Sequence, residues 1–460
     1  MIQQKPSIPK GTRDFTPDEM VRRNYIFDTI RSVFQVYGYL PIETPAMEYL
    51  TTLLGKYGEE GDKLLFRILN SGDFLGGSGK QEVKSHHFKD ILPFISEKGM
   101  RYDLTVPFAR FVVQHQHEIV FPFKRYQIQP VWRADRPQKS RYREFFQCDV
   151  DVIGSNSPLY DVEMIQIIDE IFTRLNIPVL TLVNNRKILA GMAQVTGIPD
   201  RLMDLTTAMD KLDKVGIDPV VQELQERGIP RDAIEKMRPL FSLRGKIKER
   251  KAFLDTFLKG SPLGLDGLEE LCTVLRYLKE LDLKNKWDFD LKLARGLDYY
   301  TGTIIEVKSA DVKIGSLCGG GRYDDLTGIF GMPGISGTGV SFGADRIYDV
   351  LMELDGFPAT IQNTSKVLFI NFGPEEERCA MKILTGIRKK GISSEMYPEA
   401  ARLKKQLDYA NRKHIPFVVM VGQDEIKRGT VTLKNMATGE QKTFAQEEII
   451  NVLNNEIHAC

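Results

Sequence analysis

The sequence predicts a protein that mixes α-helices and β-strands, with a helical insertion in its middle and a small α/β domain at its C-terminal end. Strand-like runs joined by basic loops fill residues 100–160, charged helical segments fill 199–285, and strands and helices alternate beyond residue 366. Such alternation is typical of a doubly wound domain with a mixed sheet. We therefore expect a domain formed by 1–198 and 286–358, an insertion of 199–285, a linker of 359–366 and a last domain of 367–460.

Helical periodicity predicts two long helices in the first domain. Apolar residues recur at helical spacing between 18 and 37, and Gly38 ends that pattern before a strand predicted over 39–45. A second apolar stripe predicts a helix over 161–175. In the last domain the predicted strands are 367–372, 393–397 and 417–422, and the predicted helices are 375–390 and 401–414.

Composition restricts the class of protein. The 460 residues carry a formal net charge of +1, so any polyanion must be bound by local basic patches. The five cysteines are scattered and odd in number, which argues against a disulfide scaffold and for a reducing compartment. Since no apolar run approaches the ~18 residues of a membrane span, we expect a soluble, cytoplasmic protein without a membrane partner.

The most informative stretch is 294–300, with the sequence A-R-G-L-D-Y-Y. We interpret it as the end of a strand that brings Arg295, Asp298 and two phenols into a polar pocket. The alternative is an ordinary strand end with a solvated arginine and two half-buried tyrosines.

A second cluster concentrates cations between two predicted strands. Its members are Lys124, Arg125, Arg133, Arg136, Lys139, Arg141 and Arg143. Arginine binds phosphate bidentately, so an arginine-rich hairpin is suited to a polyphosphate. A solvated basic hairpin, or a nonspecific nucleic-acid patch, is the alternative.

Two further segments point to the same ligand. The glycine-rich run 337–346 enters a helix that carries Arg346, although a tight packing turn also explains the glycines. Asp103 and Thr105 alternate with apolar residues on a predicted strand, where one shared face could hold an ammonium group. The alternative there is a strand with one exposed face.

His115 and His117 alternate like metal ligands but have no partner at a zinc spacing, so no metal site made by protein alone is expected.

Together these segments resemble a known family. Residues 38–45 are similar to the first signature of class II aminoacyl-tRNA synthetases, the hairpin around Arg133 to the second and 337–346 to the third. The heptad 294–300, the run G-G-R-Y-D at 320–324 and the run K-G-T-R-D-F at 10–15 are similar to the histidyl-tRNA synthetase family in particular. The resemblance covers nearly the whole chain.

The resemblance implies an α+β catalytic domain, in which helices flank an antiparallel sheet, with a helical insertion and a C-terminal α/β anticodon-binding domain. It implies a homodimer with the first signature at its interface. It also implies the reaction: ATP activates L-histidine to histidyl-adenylate, and the histidyl group passes to the 3′ end of histidine tRNA. Mg²⁺ is expected to accompany the ATP.

Residue roles follow from the same resemblance. Histidine is expected to contact Asp103, Leu104, Thr105, Arg133, Gln147, Asp151, Arg295, Tyr299, Tyr300 and Tyr323. ATP is expected to contact Arg133, Asp135, Arg141, Arg143 and Arg346, with Arg133 at the α-phosphate and Arg346 at the γ-phosphate. The expected catalytic residues are Arg295, Arg133 and Arg346, and the candidates for the tRNA acceptor end are Arg136 and Gln138. Asp135 stands where this class often carries glutamate, and Asp298 receives no role.

Two rival functions remain. One is a noncatalytic paralogue that binds histidine and regulates, as the regulatory subunit of ATP phosphoribosyltransferase does. Such paralogues usually lose the last domain and the phosphate-binding arginines, both of which this chain keeps. The other is a general RNA-binding protein, which explains the basic hairpin but not the combination of Asp103, Asp151 and Tyr300.

Overall fold

The computed structural model describes residues 5–56, 58–72, 92, 95–294, 299–358, 361 and 365–459. The chain forms two compact units, one of residues 1–15 and 22–357 and the other of 16–21 and 358–460. In the described part of the chain no helix has the length and apolarity needed to cross a membrane.

An eight-stranded sheet organises the first unit. Its strands are β1 (Leu40–Pro41), β5 (Phe123–Trp132), β6 (Glu144–Ile153), β7 (Val179–Asn185), β8 (Lys286–Phe289), β9 (Thr303–Ser309), β10 (Cys318–Tyr323) and β11 (Gly337–Gly343). Their order across the sheet is β1-β5-β6-β11-β10-β9-β7-β8. Every pairing from β5 to β7 is antiparallel, and only the outer pairs β1–β5 and β7–β8 are parallel. The predicted antiparallel sheet is therefore confirmed, with a parallel strand at each edge.

Helices cover one face of this sheet. Pro17–Val36 and Leu159–Arg174 both pack on Phe342 of β11, with ring centroids of Phe34 and Phe172 each 5.9 Å from that of Phe342. Gly38 ends the first helix in a left-handed conformation with φ 79°, as its position after the helical pattern predicts. Among the described residues, the further helices of this unit before the insertion are Leu50–Leu53, Gly58–Lys63, Thr105–Gln114 and Arg186–Val195, and Ala344–Glu353 follows β11.

Three predicted strands differ from the structure. The strand expected over 39–45 is reduced to Leu40–Pro41, because prolines at 41 and 45 cannot donate to a strand ladder. Residues 101–104 are irregular and lead into a helix that begins at Thr105, so the predicted strand through Asp103 is wrong. A separate three-stranded sheet is formed by β2 (Met47–Tyr49), β3 (Arg67–Ile68) and β4 (Lys98–Met100). Its last strand along the chain, β4, ends at Met100, just before the irregular residues 101–104.

The segment before the heptad is also not a strand. Leu291, Leu293 and Ala294 are buried in a turn between β8 and β9. The side-chain amide of Asn184 donates to the carbonyls of Leu291 at 3.3 Å and Leu293 at 2.8 Å. These bonds satisfy the buried backbone without strand pairing.

The connection from β7 to β8 is almost entirely helical. Its helices are Arg186–Val195, Leu202–Val215, Ile217–Glu226, Arg231–Phe241, Ile247–Phe257 and Pro262–Glu280, with a 3₁₀ turn at Pro199–Arg201. Gly191 and Gly264 let the first and last of these helices approach closely, because a Cβ on Gly191 would lie 2.4 Å from Gly264 Cα. The last helix therefore belongs to the packed body of this unit.

The second unit is a doubly wound domain. Its sheet has the order β13-β12-β14-β15-β16, formed by β12 (Val367–Phe369), β13 (Ser394–Met396), β14 (Phe417–Met420), β15 (Thr430–Asn435) and β16 (Gln441–Ala445). Apolar cores lie on both faces, under the helices Pro374–Lys389 and Ile449–Ala459 on one side and Leu403–Arg412 on the other. A short helix, Gln423–Arg428, precedes β15. The predicted mixed sheet is confirmed, and the antiparallel β15–β16 hairpin adds to it.

Candidate active site

A cavity of about 440 Å³ opens against β6, β9, β10 and β11 of the large sheet. Most of the side chains singled out from sequence line it. These are Asp103, Thr105, Arg133, Asp135, Arg141, Gln147, Asp151, Tyr299, Tyr300, Tyr323 and Arg346. Residues far apart in the chain are therefore gathered into one polar cavity.

The other predicted residues lie around this lining. Leu104 is fully buried behind it, and Arg143 donates from Nε to the carbonyl of Asp135 at 3.0 Å. Arg136 and Gln138 are exposed on the loop between β5 and β6. Arg295 and Asp298 lie outside the described residues.

The Asp151 carboxylate lies at one end of the cavity, where Tyr323 and Arg125 hold it. Asp151 Oδ1 accepts a hydrogen bond from the Tyr323 hydroxyl at 2.7 Å, and Oδ2 forms an ion pair with Arg125 Nη2 at 2.7 Å. Burial raises the pKa of the Asp151 carboxyl, whereas the Arg125 guanidinium and the Tyr323 hydroxyl act to lower it. The carboxylate is thus fixed in place by two partners.

Glycines on β11 make room for this group. A Cβ on Gly339 would lie 2.1 Å from Asp151 Oδ1, and a Cβ on Gly337 would lie 2.4 Å from the ring of Tyr323. The glycine-rich run is therefore a strand that accommodates pocket side chains, and a tight turn does not explain these two glycines.

Aromatic rings form the wall beside Asp151. Tyr299 meets Tyr300 edge-on at 5.0 Å between ring centroids and Tyr323 at 6.1 Å. The Tyr299 hydroxyl donates to Asp103 Oδ2 at 3.3 Å. Asp103 also accepts a bond from the backbone N–H of Val106 at 3.2 Å, so this carboxylate caps the helix that begins at Thr105.

Arginines surround the opposite end of β6. Arg133 donates to the carbonyl of Tyr102 at 3.0 Å and stacks over that ring at 4.2 Å. Arg141 forms an ion pair with Asp135 at 2.7 Å, and Arg346 donates to the carbonyl of Ser316 at 2.7 Å. A carboxylate and two carbonyls thus hold the three guanidinium groups around the cavity.

Two members of the predicted basic cluster have other partners. Arg125 is fully buried against Asp151, and Lys124 pairs with Glu163 at 2.8 Å. Arg125 and Lys124 are therefore engaged by carboxylates, and the described arginines that line the cavity are Arg133, Arg141 and Arg346.

Among the lining residues that sequence reasoning missed are the polar side chains of Asp149, Glu306 and Ser341. Asp149 lies between Gln147 and Asp151 on the same face of β6, a placement that strand alternation alone could have predicted. Burial raises the pKa of Asp149 to about 7; Arg125 opposes the rise and Asp151 adds to it. Glu306 is buried on β9 and accepts a hydrogen bond from the Ser316 hydroxyl.

The cavity can bind a small ligand that carries opposite charges at its two ends. Carboxylates and phenols at the Asp151 end suit the N–H groups of a polar, cationic ligand, and arginines at the other end suit phosphate. An antiparallel sheet that presents this combination, flanked by helices, is the fold and site of a class II aminoacyl-tRNA synthetase.

Comparison with known proteins identifies the member of that class. The family described as "Histidyl-tRNA synthetase" matches residues 11–80 and 88–347, and "Anticodon binding domain" matches 366–456. The chain belongs to the histidyl-tRNA synthetase family. It is similar to "Histidine--tRNA ligase" of Bacteroides fragilis (strain YCH46), with 57% identity over 98% of this chain and 99% of that protein. The protein of the same name from Phocaeicola vulgatus is 55% identical over the same shares of the two chains.

A solved structure of this family has a similar fold. Histidyl-tRNA synthetase from Nostoc sp. PCC 7120 matches with a TM-score of 0.82 and 29% sequence identity, over 99% of this chain and 100% of that chain. The predicted family and fold class are both confirmed.

Proposed function

We propose that this protein is a histidine–tRNA ligase, which uses ATP to activate L-histidine and transfers the histidyl group to the 3′ end of histidine tRNA. The observation that carries the proposal is the single cavity that joins the Asp151–Tyr323 group to the three arginines. Its relatives of 55–57% identity bear the name of that activity. A cytoplasmic location agrees with this role in protein synthesis.

Activation consists of an in-line attack on phosphorus. A carboxylate oxygen of histidine forms a bond to the α-phosphorus of ATP, the bond to the bridging oxygen breaks, and pyrophosphate leaves with the electron pair. The substrate carboxylate is already a nucleophile, so the site needs no general base. It has to position the reactants and stabilise the charge that develops on the phosphoryl oxygens.

Arginines supply that stabilisation. We assign Arg133 and Arg295 to the reacting carboxylate and α-phosphate, and Arg346 to the γ-phosphate. Arg141, Arg143 and Asp135 complete the ATP site, where the Arg141–Asp135 ion pair fixes the hairpin loop beside the nucleotide. In the second step a hydroxyl of the terminal tRNA ribose attacks the acyl carbon, and AMP leaves.

Selectivity for histidine follows from the buried polar groups. Asp151 and Tyr300 address the two imidazole nitrogens, while Tyr299 and Tyr323 shape the wall. Asp103, Thr105 and Gln147 hold the ammonium group. A smaller or apolar side chain would leave buried polar groups unpaired, and such a mismatch discriminates strongly.

The protein alone offers few ligands for Mg²⁺. Among the described residues no group of three or more histidine, cysteine or carboxylate side chains could hold a metal ion. Magnesium usually binds through substrate phosphates with one or two carboxylates, and it neutralises phosphate charge. Two lining carboxylates lie near Arg346: Asp345, which is paired with Arg13 and Arg23, and Glu306, which contacts Ser316 as Arg346 does and fits this requirement.

Transfer RNA is proposed to bind at two places. Arg136 and Gln138, exposed on the β5–β6 loop, would meet the acceptor end. In the C-terminal domain, one acidic residue, Asp408, and seven basic or aromatic ones line a depression of about 730 Å³ suited to phosphates and stacked bases: Tyr397, Arg402, Lys404, Lys405, Tyr409, Arg412 and Lys413. The protein is proposed to act as a homodimer through its first signature, residues 38–45.

Exchange of labelled pyrophosphate into ATP tests the proposal. We expect exchange that depends on histidine and does not occur with the other amino acids. The regulatory alternative predicts histidine binding without exchange, and the RNA-binding alternative predicts neither. Charging of histidine tRNA, measured under the same conditions, tests the second step.

A further inference from the structure

A short hydrogen-bond chain lies beneath the substrate end of the cavity. Gln147 Nε2 donates to the Ser341 hydroxyl oxygen at 2.7 Å, and the Ser341 side chain lies next to the Asp149 carboxyl, whose pKa it acts to lower. The strand register explains the contact, since Ser341 of β11 pairs directly with Asp149 of β6 and diagonally with Gln147. Asp149 is only 1% exposed, so its carboxyl is shielded from water.

The direction of this chain is fixed by chemistry. Above about pH 7 the Asp149 carboxyl is ionised and can only accept hydrogen bonds, so under those conditions the Ser341 hydroxyl donates its one hydrogen to Asp149. The Ser341 oxygen can then only accept from Gln147, which requires that Gln147 turn its NH₂ group toward Ser341. The carbonyl oxygen of the same amide must consequently face the other way.

That carbonyl oxygen awaits a donor. Gln147 Oε1 is buried and finds no hydrogen-bond partner among the residues that the structure describes, and the same holds for Asp149 Oδ1. A buried acceptor without a partner costs free energy, so such atoms mark places where a ligand can donate. Both residues line the cavity that also contains Asp103 and Thr105.

We propose that Asp149 and Ser341 are positioning residues that lock the Gln147 amide so that its carbonyl oxygen accepts a hydrogen bond from the substrate ammonium group. The inference rests on the proposed function, because it takes an amino acid as the ligand. Without the lock the amide could rotate by half a turn and present its NH₂ group to the ammonium, which is a donor facing a donor. Ser341 thus contributes to selection for an amino group without contacting it.

Two histidine analogues separate this role from a general disturbance. Histidinol keeps the imidazole and ammonium groups and lacks the carboxylate, whereas 3-(imidazol-4-yl)propanoate keeps the imidazole and carboxylate and lacks the ammonium. Their affinities for the full-length protein are measured by calorimetry at pH 8, with the thermal unfolding midpoint as a check on folding. We expect Ser341→Ala to lower the affinity for histidinol about tenfold, as loss of one oriented hydrogen bond to a charged group implies. The affinity for the propanoate should change by less than about twofold.

A rescue variant sharpens the test. Glutamate at position 147 has acceptor oxygens on both sides and needs no lock, so Gln147→Glu combined with Ser341→Ala should recover most of the histidinol affinity. Asp149→Asn, whose amide can donate as well as accept, should also weaken histidinol selectively, and it replaces Ser341→Ala if that variant does not fold.

Three outcomes would overturn the proposal: unchanged histidinol affinity, equal weakening of both analogues, or no recovery with Gln147→Glu. These outcomes differ from failure of the proposed function. In that case the unmodified protein would show no histidine-dependent pyrophosphate exchange at all.

Discussion

Gly339→Ala is the substitution that most directly tests how the sheet forms the specificity pocket. A Cβ at this position would lie 2.1 Å from Asp151 Oδ1 and 2.8 Å from the carbonyl oxygen of Val150, whereas an ordinary contact is 3.4–4 Å. The Asp151 carboxylate must therefore retreat by more than about 1 Å, which weakens its bond to Tyr323 and the bond that we propose to the substrate imidazole.

The size of the effect follows from those bonds. Hydrogen bonds to a charged group contribute about 1.5–3 kcal/mol each, so loss of the one to the imidazole should raise the KM for histidine about 10- to 100-fold. The KM for ATP should change little, because the arginines surround the other end of β6. Pyrophosphate exchange measured over a range of histidine and ATP concentrations distinguishes the two.

Gly319→Ala is the matched control. Gly319 lines the same cavity, yet the nearest atom to its added Cβ is the Ile305 carbonyl oxygen at 3.7 Å. We expect this variant to keep the KM for histidine within about threefold, since ordinary van der Waals contact displaces nothing. If Gly339→Ala behaved like Gly319→Ala, the steric argument for Asp151 would be refuted.

Three other predictions follow from the buried charges and the heptad. The raised pKa of Asp149, about 7 against 3.8 for the ordinary group, means that the folded state binds more protons than the unfolded state between these values, so stability falls as pH rises from about 4 to 7. In urea unfolding, the Asp149→Asn variant should not show this fall. The free energy of unfolding of the variant minus that of the unmodified protein should therefore rise by on the order of 3 kcal/mol between pH 4 and pH 8. If the two free energies ran parallel with pH, the raised pKa of Asp149 would be contradicted. Arg322→Met should lower the free energy of unfolding by about 3–5 kcal/mol, because it leaves the buried Asp161 carboxylate without its ion-pair partner at 3.0 Å, and a loss below about 1 kcal/mol in the same urea experiment would show that the pair is dispensable. Arg295→Ala should reduce the rate of adenylate formation on the order of 10²-fold, whereas a rise only in the KM for histidine would show that the side chain merely binds substrate.

The parts of the fold that sequence predicts well are those with strong local patterns. The β5–β6 hairpin follows from alternating apolar and polar residues around a turn at 138–140, and Ser140 there adopts φ 60°. The long helices likewise agree with their apolar stripes to within about two residues, a usual uncertainty at helix ends.

The predicted strand through Asp103 failed because a local signal was overlooked. Pro107 falls in the first turn of the observed helix, where proline is favoured, and Asp103 caps that turn through the Val106 N–H. Alternation over five residues was too short a pattern to outweigh a capping residue followed by proline.

The sequence analysis named many of the residues that line the cavity but not the partners that these residues contact. Resemblance identified Asp151, but no pattern in the sequence shows that Arg125 pairs with it rather than with phosphate. That pairing depends on the register between β5 and β6, which places Arg125 opposite Asp151. Ser341 was missed for the same reason, because its role depends on the pairing of β6 with β11.

The strand order also determines when the pocket can exist during synthesis. β6 carries Gln147, Asp149 and Asp151, yet its neighbour β11 leaves the ribosome only after the entire helical insertion and strands β7 to β10. Until then one edge of β6 has no strand partner, and a long apolar strand with a free edge invites pairing with other chains. The nascent protein must therefore protect the free edge of β6 while residues 154–343 are synthesised, and the cavity lined by β6 and β11 can form only after that.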